Sequence, residues 1–139
     1  MLLATTLSDP AVEPAFVFDR SWQATPNNVG RARRALLDEL TPLQLGRPVL
    51  DAVAASLTEA MTNAVYHAYV GRRVGRVRVL ASAVPGELAV TVQDDGSGFD
   101  PATTAPGAGL LLIAASATRV ETTERPGGGT RTAMWFDCA

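Results

Sequence analysis

A long apolar stripe between Pro48 and Tyr69 is the feature that most constrains this chain. Leu50, Val53, Leu57, Met61, Ala64, Val65 and Ala68 recur at the three- and four-residue spacing of one helix face. Pro48 suits the first turn of such a helix, and Gly71 suits its end. A helix apolar along one side must lie on another layer, and the flanking segments supply it. Arg76 to Ala83 and Glu87 to Gln93 alternate apolar and polar residues at period two, with Pro85-Gly86 as the turn between them. Arg119 to Glu124 and Thr130 to Phe136 pair in the same way around Pro126-Gly127-Gly128-Gly129. Ahead of the long helix, Ala15 to Trp22 suits a strand and Asn28 to Leu40 a first helix. Leu110 to Ala117 reads as a short third helix. The predicted order β-α-α-β-β-α-β-β implies an α+β fold, a two-layer sandwich with helices on one face of a mixed, mostly antiparallel sheet.

The chain has 139 residues, enough for one domain with a core that needs no disulfide or metal. Residues Met1 to Pro14 read as a loose leader, and 15–139 as a single domain. A net charge of −2 argues against a general nucleic-acid binder. All twelve basic residues are arginine, so a side-chain contact to phosphate has to come from Arg. No apolar run reaches the length of a membrane span. The single cysteine, Cys138, cannot form an intrachain disulfide and fits a reducing compartment. The expected location is the cytoplasm.

Four short patterns carry candidate chemistry. Glu59 and Asn63 are four apart on the long helix and project from one face. A carboxylate there can take a proton, and an amide oxygen can bind magnesium without adding negative charge near phosphates. Alone, the pair also describes a solvated helix face, and such short matches recur by chance. Asp94, with Gly96 and Gly98, directly follows an apolar strand. Asp94 can accept a hydrogen bond from an exocyclic amine, and the glycines let a flat base approach the backbone. The same residues also suit a plain polar turn. Gly107 and Gly109 open the short helix, whose free N–H groups favour phosphate. Gly127 to Gly129 suit a hairpin turn, from which Thr130 can bring a hydroxyl to the same place. His67 is the only histidine, so a His/Cys metal site is not expected. Trp22 and Trp135 are read as packing residues.

In this order the four patterns resemble the GHKL nucleotide-binding domain of gyrase-type ATPases, Hsp90, histidine kinases and MutL. The phrase from Glu59 to Tyr69 and the short length resemble more closely the bacterial anti-sigma-factor serine/threonine kinases, over about Ala15 to Phe136. The resemblance implies ATP and Mg²⁺ as cofactors. It implies Glu59 as general base, Asn63 as magnesium ligand and Asp94 as acceptor for the adenine amine. Gly96 and Gly98 would flank the base, Gly107 and Gly109 the phosphates, and Thr130 would support the adenine pocket. The implied partners are a sigma factor or an anti-anti-sigma protein of the STAS type, and a second copy of the chain. The segment Pro101 to Pro106 departs from many relatives in having no Arg or Lys. This leaves a regulatory ATP-binding module without phosphoryl transfer as the alternative. A histidine-kinase catalytic fragment fits less well, since the sole histidine lies on the helix that carries Glu59.

Overall fold

The computed structural model describes residues 16–66, 75–96, 117–126 and 128–138. Its elements are β1 (Phe16–Gln23), α1 (Pro26–Leu40), α2 (Arg47–Tyr66), β2 (Arg76–Val84), β3 (Glu87–Asp94), β4 (Arg119–Glu124) and β5 (Thr130–Asp137). These match the expected segments to within a few residues. A 3-10 turn at Thr41–Leu43, which the periodicity did not reveal, joins the two helices. Gln44 closes that turn in the left-handed region, at φ 53°. The expected helix over 110–117 lies outside the described residues except for Ala117, as do the leader and the stretch 67–74.

The strands form one sheet in the order β1-β2-β3-β5-β4. All four pairings are antiparallel, so the mostly antiparallel sheet expected is fully so among the described residues. Period-two alternation decides which side chains face the helices. Phe18, Val77, Val79, Ala81, Leu88, Val90, Val92, Met134 and Phe136 are buried on that side. The other side carries the polar pair Asp19 and Arg78, whose guanidinium meets the carboxylate at 2.6 Å and 2.8 Å. Trp22 stacks near Phe18 on the edge strand β1, and Trp135 lies beneath the Arg119 guanidinium at 3.8 Å. Both tryptophans pack, as their sequence contexts suggested.

α2 lies over β3 and β5, in the middle of the sheet. Val53, Ser56, Leu57, Ala60, Met61 and Ala64 form its buried side. α1 runs along one flank of α2, burying Ala32, Leu36 and Leu40. Arg33 Nη1 of α1 donates to Thr58 Oγ1 of α2 at 3.0 Å, which identifies that flank. On an α-helix Glu59 and Asn63 lie on the opposite flank, and both are half-buried there.

Two adjacent residues on α2 test this packing with opposite signs. Leu57 is fully buried, so Leu57→Ala is expected to lower unfolding free energy by about 2–5 kcal/mol. Ser56 is equally buried, but its Oγ has no hydrogen-bond partner. Ser56→Ala removes an unsatisfied polar atom and is expected to be neutral or stabilising by about 1 kcal/mol. Denaturant unfolding of the two variants measures both.

Candidate nucleotide site

The site grows from the far end of β3. Leu88, Val90 and Val92 point at the helices, and the same alternation places Asp94 on that side as the strand ends. One step past the last ladder pair, Gln93 with Arg131, Asp94 and Thr130 stand side by side on neighbouring strands. Both residues are buried. The Asp94 carboxylate accepts the Gly96 N–H at 3.0 Å and a bond from the Thr130 backbone N–H. Desolvation by burial nevertheless raises its pKa above the usual aspartate value; the two N–H groups and Arg125 oppose this, and Asp95 adds to it.

Two residues between β4 and β5, Arg125 and Gly129, hold this junction together. Arg125 Nη1 donates to the Asp94 carbonyl at 2.8 Å. Its backbone N–H donates to the Gly129 carbonyl at 2.9 Å, closing the β4–β5 turn. Gly129 has φ +98°, and its Cα rests against the backbone of Asp94 and Asp95. A methyl there would collide with the Asp94 carbonyl and lie 3.0 Å from the Asp95 Cα. The run of three glycines signalled a turn; its last member in fact allows one strand end to touch another. No sequence feature distinguished Arg125 from the other surface arginines.

Glu59 and Asn63 share the flank of α2 turned away from α1. Neither side chain makes a hydrogen bond or ion pair to another described residue. Of the other expected site residues, Gly96 is buried against Asp94, whereas Gly98, Gly107 and Gly109 lie outside the described residues, as does His67. Among the described residues, no group of three or more His, Cys, Asp or Glu can cage a metal. A divalent ion here would have to take most of its oxygens from a ligand, as magnesium does with phosphates. The half-buried Asn63 amide suits such a partial shell. The buried Asp94 carboxylate, an acceptor with two oxygens, suits an amine donor. No helix among the described residues is long and apolar enough to cross a membrane.

With this geometry in hand, three comparisons place the chain. Residues 22–136 match the family described as the histidine kinase-like ATPase domain. The fold is similar to the RsbU and RsbW domains of Rv1364c from Mycobacterium tuberculosis, with a TM-score of 0.71 and 21% identity. That likeness covers 89% of this chain and 33% of the other, so the chain spans about a third of that protein's length. The catalytic domain of the histidine kinase ThkA is similar at a TM-score of 0.54 and 12% identity, covering 87% and 97% of the two chains. At these identities the likeness is one of fold. No protein of curated function matches the sequence.

The raised pKa of Asp94 fixes the sign of a prediction. The fold favours the neutral acid, so stability from this group is full below the ordinary carboxylate range and is lost as pH rises through the raised value. Asp94→Asn is therefore expected to melt higher than the parent at pH 7. Nucleotide binding should move the other way, weakening by about 1.5–3 kcal/mol as one charge-assisted hydrogen bond is lost. Calorimetry on the folded variant reads both; a variant that melts lower, or binds ATP as well as the parent, contradicts the assignment. Gly129→Ala is expected to destabilise by more than the roughly 1–3 kcal/mol of its backbone strain, because the collision adds to it. Gly128→Ala, where a methyl would be 3.9 Å from the nearest atom, should show the strain alone.

Proposed function

We propose that this chain, which belongs to the histidine kinase-like ATPase domain family, is an ATP-dependent protein serine/threonine kinase of the anti-sigma type. One observation carries the reading. The helix over β3 and β5, the strands that bring Asp94 and Thr130, presents Glu59 and Asn63 together on its open flank. The fold likeness to a protein with an RsbW domain supports the same regulatory class.

Each residue then has a task. Asp94 accepts the adenine amine, and Thr130 lines the pocket beside it. Asn63 would hold a magnesium ion, which when bound offsets phosphate charge. Glu59 takes the proton from a serine hydroxyl on the partner as its oxygen bonds to the γ-phosphorus and ADP departs. Most of the catalysis is positioning and charge stabilisation. A sigma factor and a STAS-type anti-anti-sigma protein are the partners this scheme needs, in the cytoplasm. A second copy of the chain can pair along β1, an edge strand among the described residues.

A second reading has its own observation: the segment 101–106 contains no Arg or Lys to steady a γ-phosphate. In that case the domain binds ATP and sequesters its partner without transferring phosphate.

Glu59→Gln separates these readings. Transfer to a serine-bearing anti-anti-sigma-like acceptor is expected to fall about 10²–10⁴-fold, with ATP affinity unchanged. Asn63→Ala should instead weaken binding only when magnesium is present. Retained transfer by Glu59→Gln removes Glu59 as the base. No transfer by the parent to any acceptor selects the sequestering module.

A further inference from the structure

Arg125 places its charge beside a carbonyl and not beside a carboxylate. Arg47, Arg78 and Arg119 each meet an acidic side chain, whereas no ion pair among the described residues engages Arg125. It reaches 31 positions back along the chain, and its Nη1 donates to the main-chain carbonyl of Asp94 at 2.8 Å. The half-buried guanidinium is thus fixed against the residue whose side chain forms the base end of the site. Its backbone closes the turn around this contact. The Arg125 N–H donates to the Gly129 carbonyl at 2.9 Å, and the Arg125 carbonyl accepts the Gly128 N–H at 3.0 Å. Thr130 comes next, and its N–H bonds the Asp94 carboxylate. One arginine therefore holds both the main chain of Asp94 and the strand end that supplies an N–H to its side chain.

The protonation of Asp94 decides what it can recognise. A carboxylate only accepts hydrogen bonds, whereas a carboxylic acid also donates one. The ionised group suits a purine with an amine at position 6, and the neutral acid suits one with an oxygen there. Burial acts most strongly and favours the acid; the N–H groups of Gly96 and Thr130 favour the ionised form, Asp95 disfavours it and Arg125 favours it. Asp95 is itself engaged by the Arg76 N–H at 3.2 Å. α2, packed over β3, carries Glu59 and Tyr66, and neither is among the groups that shift Asp94. Among the described residues Arg125 is the one cation in this balance.

We propose that Arg125 is a positioning residue that sets base specificity: by holding Asp94 as a pure acceptor, it makes the site choose a 6-amino purine over a 6-oxo purine. The inference rests on the nucleotide reading of Asp94 and adds the group that fixes its hydrogen-bonding character. Selectivity then depends on pH. ATP is preferred while Asp94 is ionised; as pH falls through the Asp94 pKa, the amine loses its acceptor and the new O–H can donate to a 6-oxo oxygen. Removing the Arg125 charge moves this loss of preference to higher pH.

The test is calorimetric titration of the full chain with ATP and with inosine triphosphate, which carries oxygen in place of the amine, from about pH 5 to about pH 8 at fixed magnesium. The ratio of the two affinities cancels the titration of the shared phosphates. In parallel, NMR of the carboxyl carbon follows Asp94 ionisation in the nucleotide-free chain. The parent is expected to prefer ATP by about tenfold at pH 7 and to lose that preference toward acid. Arg125→Gln keeps a donor but no charge; it should raise both midpoints by about half a pH unit or more and bind ATP about threefold more weakly at pH 7. Arg125→Lys restores the charge and should keep both midpoints near the parent's. Arg125→Met carries the same expectation as Arg125→Gln if that variant does not fold. Unmoved or lowered midpoints in a folded charge-free variant overturn the proposal, because they leave Arg125 as a tie between strand ends and nothing more. A parent whose preference is the same at every pH also overturns it. Where the parent binds ATP, either result removes this proposal alone; a parent that binds neither nucleotide removes the site reading with it.

Discussion

The approach of Gly129 to the backbone of Asp94 is the contact on which the site depends. It is a backbone-to-backbone contact that no other residue type allows at this position. The contact ties the end of β3 to the start of β5, and Arg125 secures it by bonding the Asp94 carbonyl. Because both strand ends are held, the Asp94 carboxylate sits in a dry place beside Thr130. Burial raises its proton affinity, and two backbone N–H groups act the other way, favouring the ionised form. A carboxylate in this state is poorly solvated, which makes it a strong acceptor for a donor that arrives with a ligand. The fold thus carries a modest local cost that a ligand can relieve.

α2 joins this junction to the rest of the molecule. Its buried side is core, and its flanks have separate duties. One flank meets α1 through Thr58 and Arg33. The other carries Glu59 and Asn63, both half-buried, whose side chains bond no other described residue. In the proposed mechanism, stability and chemistry are divided around the helix circumference. The same division applies to the sheet, whose inner side supplies core along most of its length and Asp94 and Thr130 only at one end.

Much of this was legible in the sequence because periodicity is a direct record of burial. The run Leu88, Val90, Val92 marked the strand at whose end Asp94 stands. The stripe from Leu50 to Ala64 likewise put Glu59 and Asn63 together off the apolar face. What stayed hidden depends on contacts distant in sequence. Arg125 is 31 positions from the carbonyl it bonds, and local pattern says nothing about such a pair. Gly129 looked like a turn residue because its neighbours are glycines; only the crossing of two strand ends shows why this one has no substitute.

The central claim is that Asp94 reads the exocyclic amine of adenine, and nucleotide discrimination tests it most directly. GTP presents a carbonyl oxygen where ATP presents an amine, so a buried carboxylate would face an acceptor and lose its partner. Sites built around such a hydrogen bond discriminate strongly against analogues that cannot make it. Isothermal titration of one preparation with ATP, GTP and purine riboside triphosphate, which lacks the group, measures the effect. The account predicts ATP binding at least about tenfold tighter than GTP, with the purine analogue weaker than ATP as well. Equal affinity for ATP and GTP would contradict it.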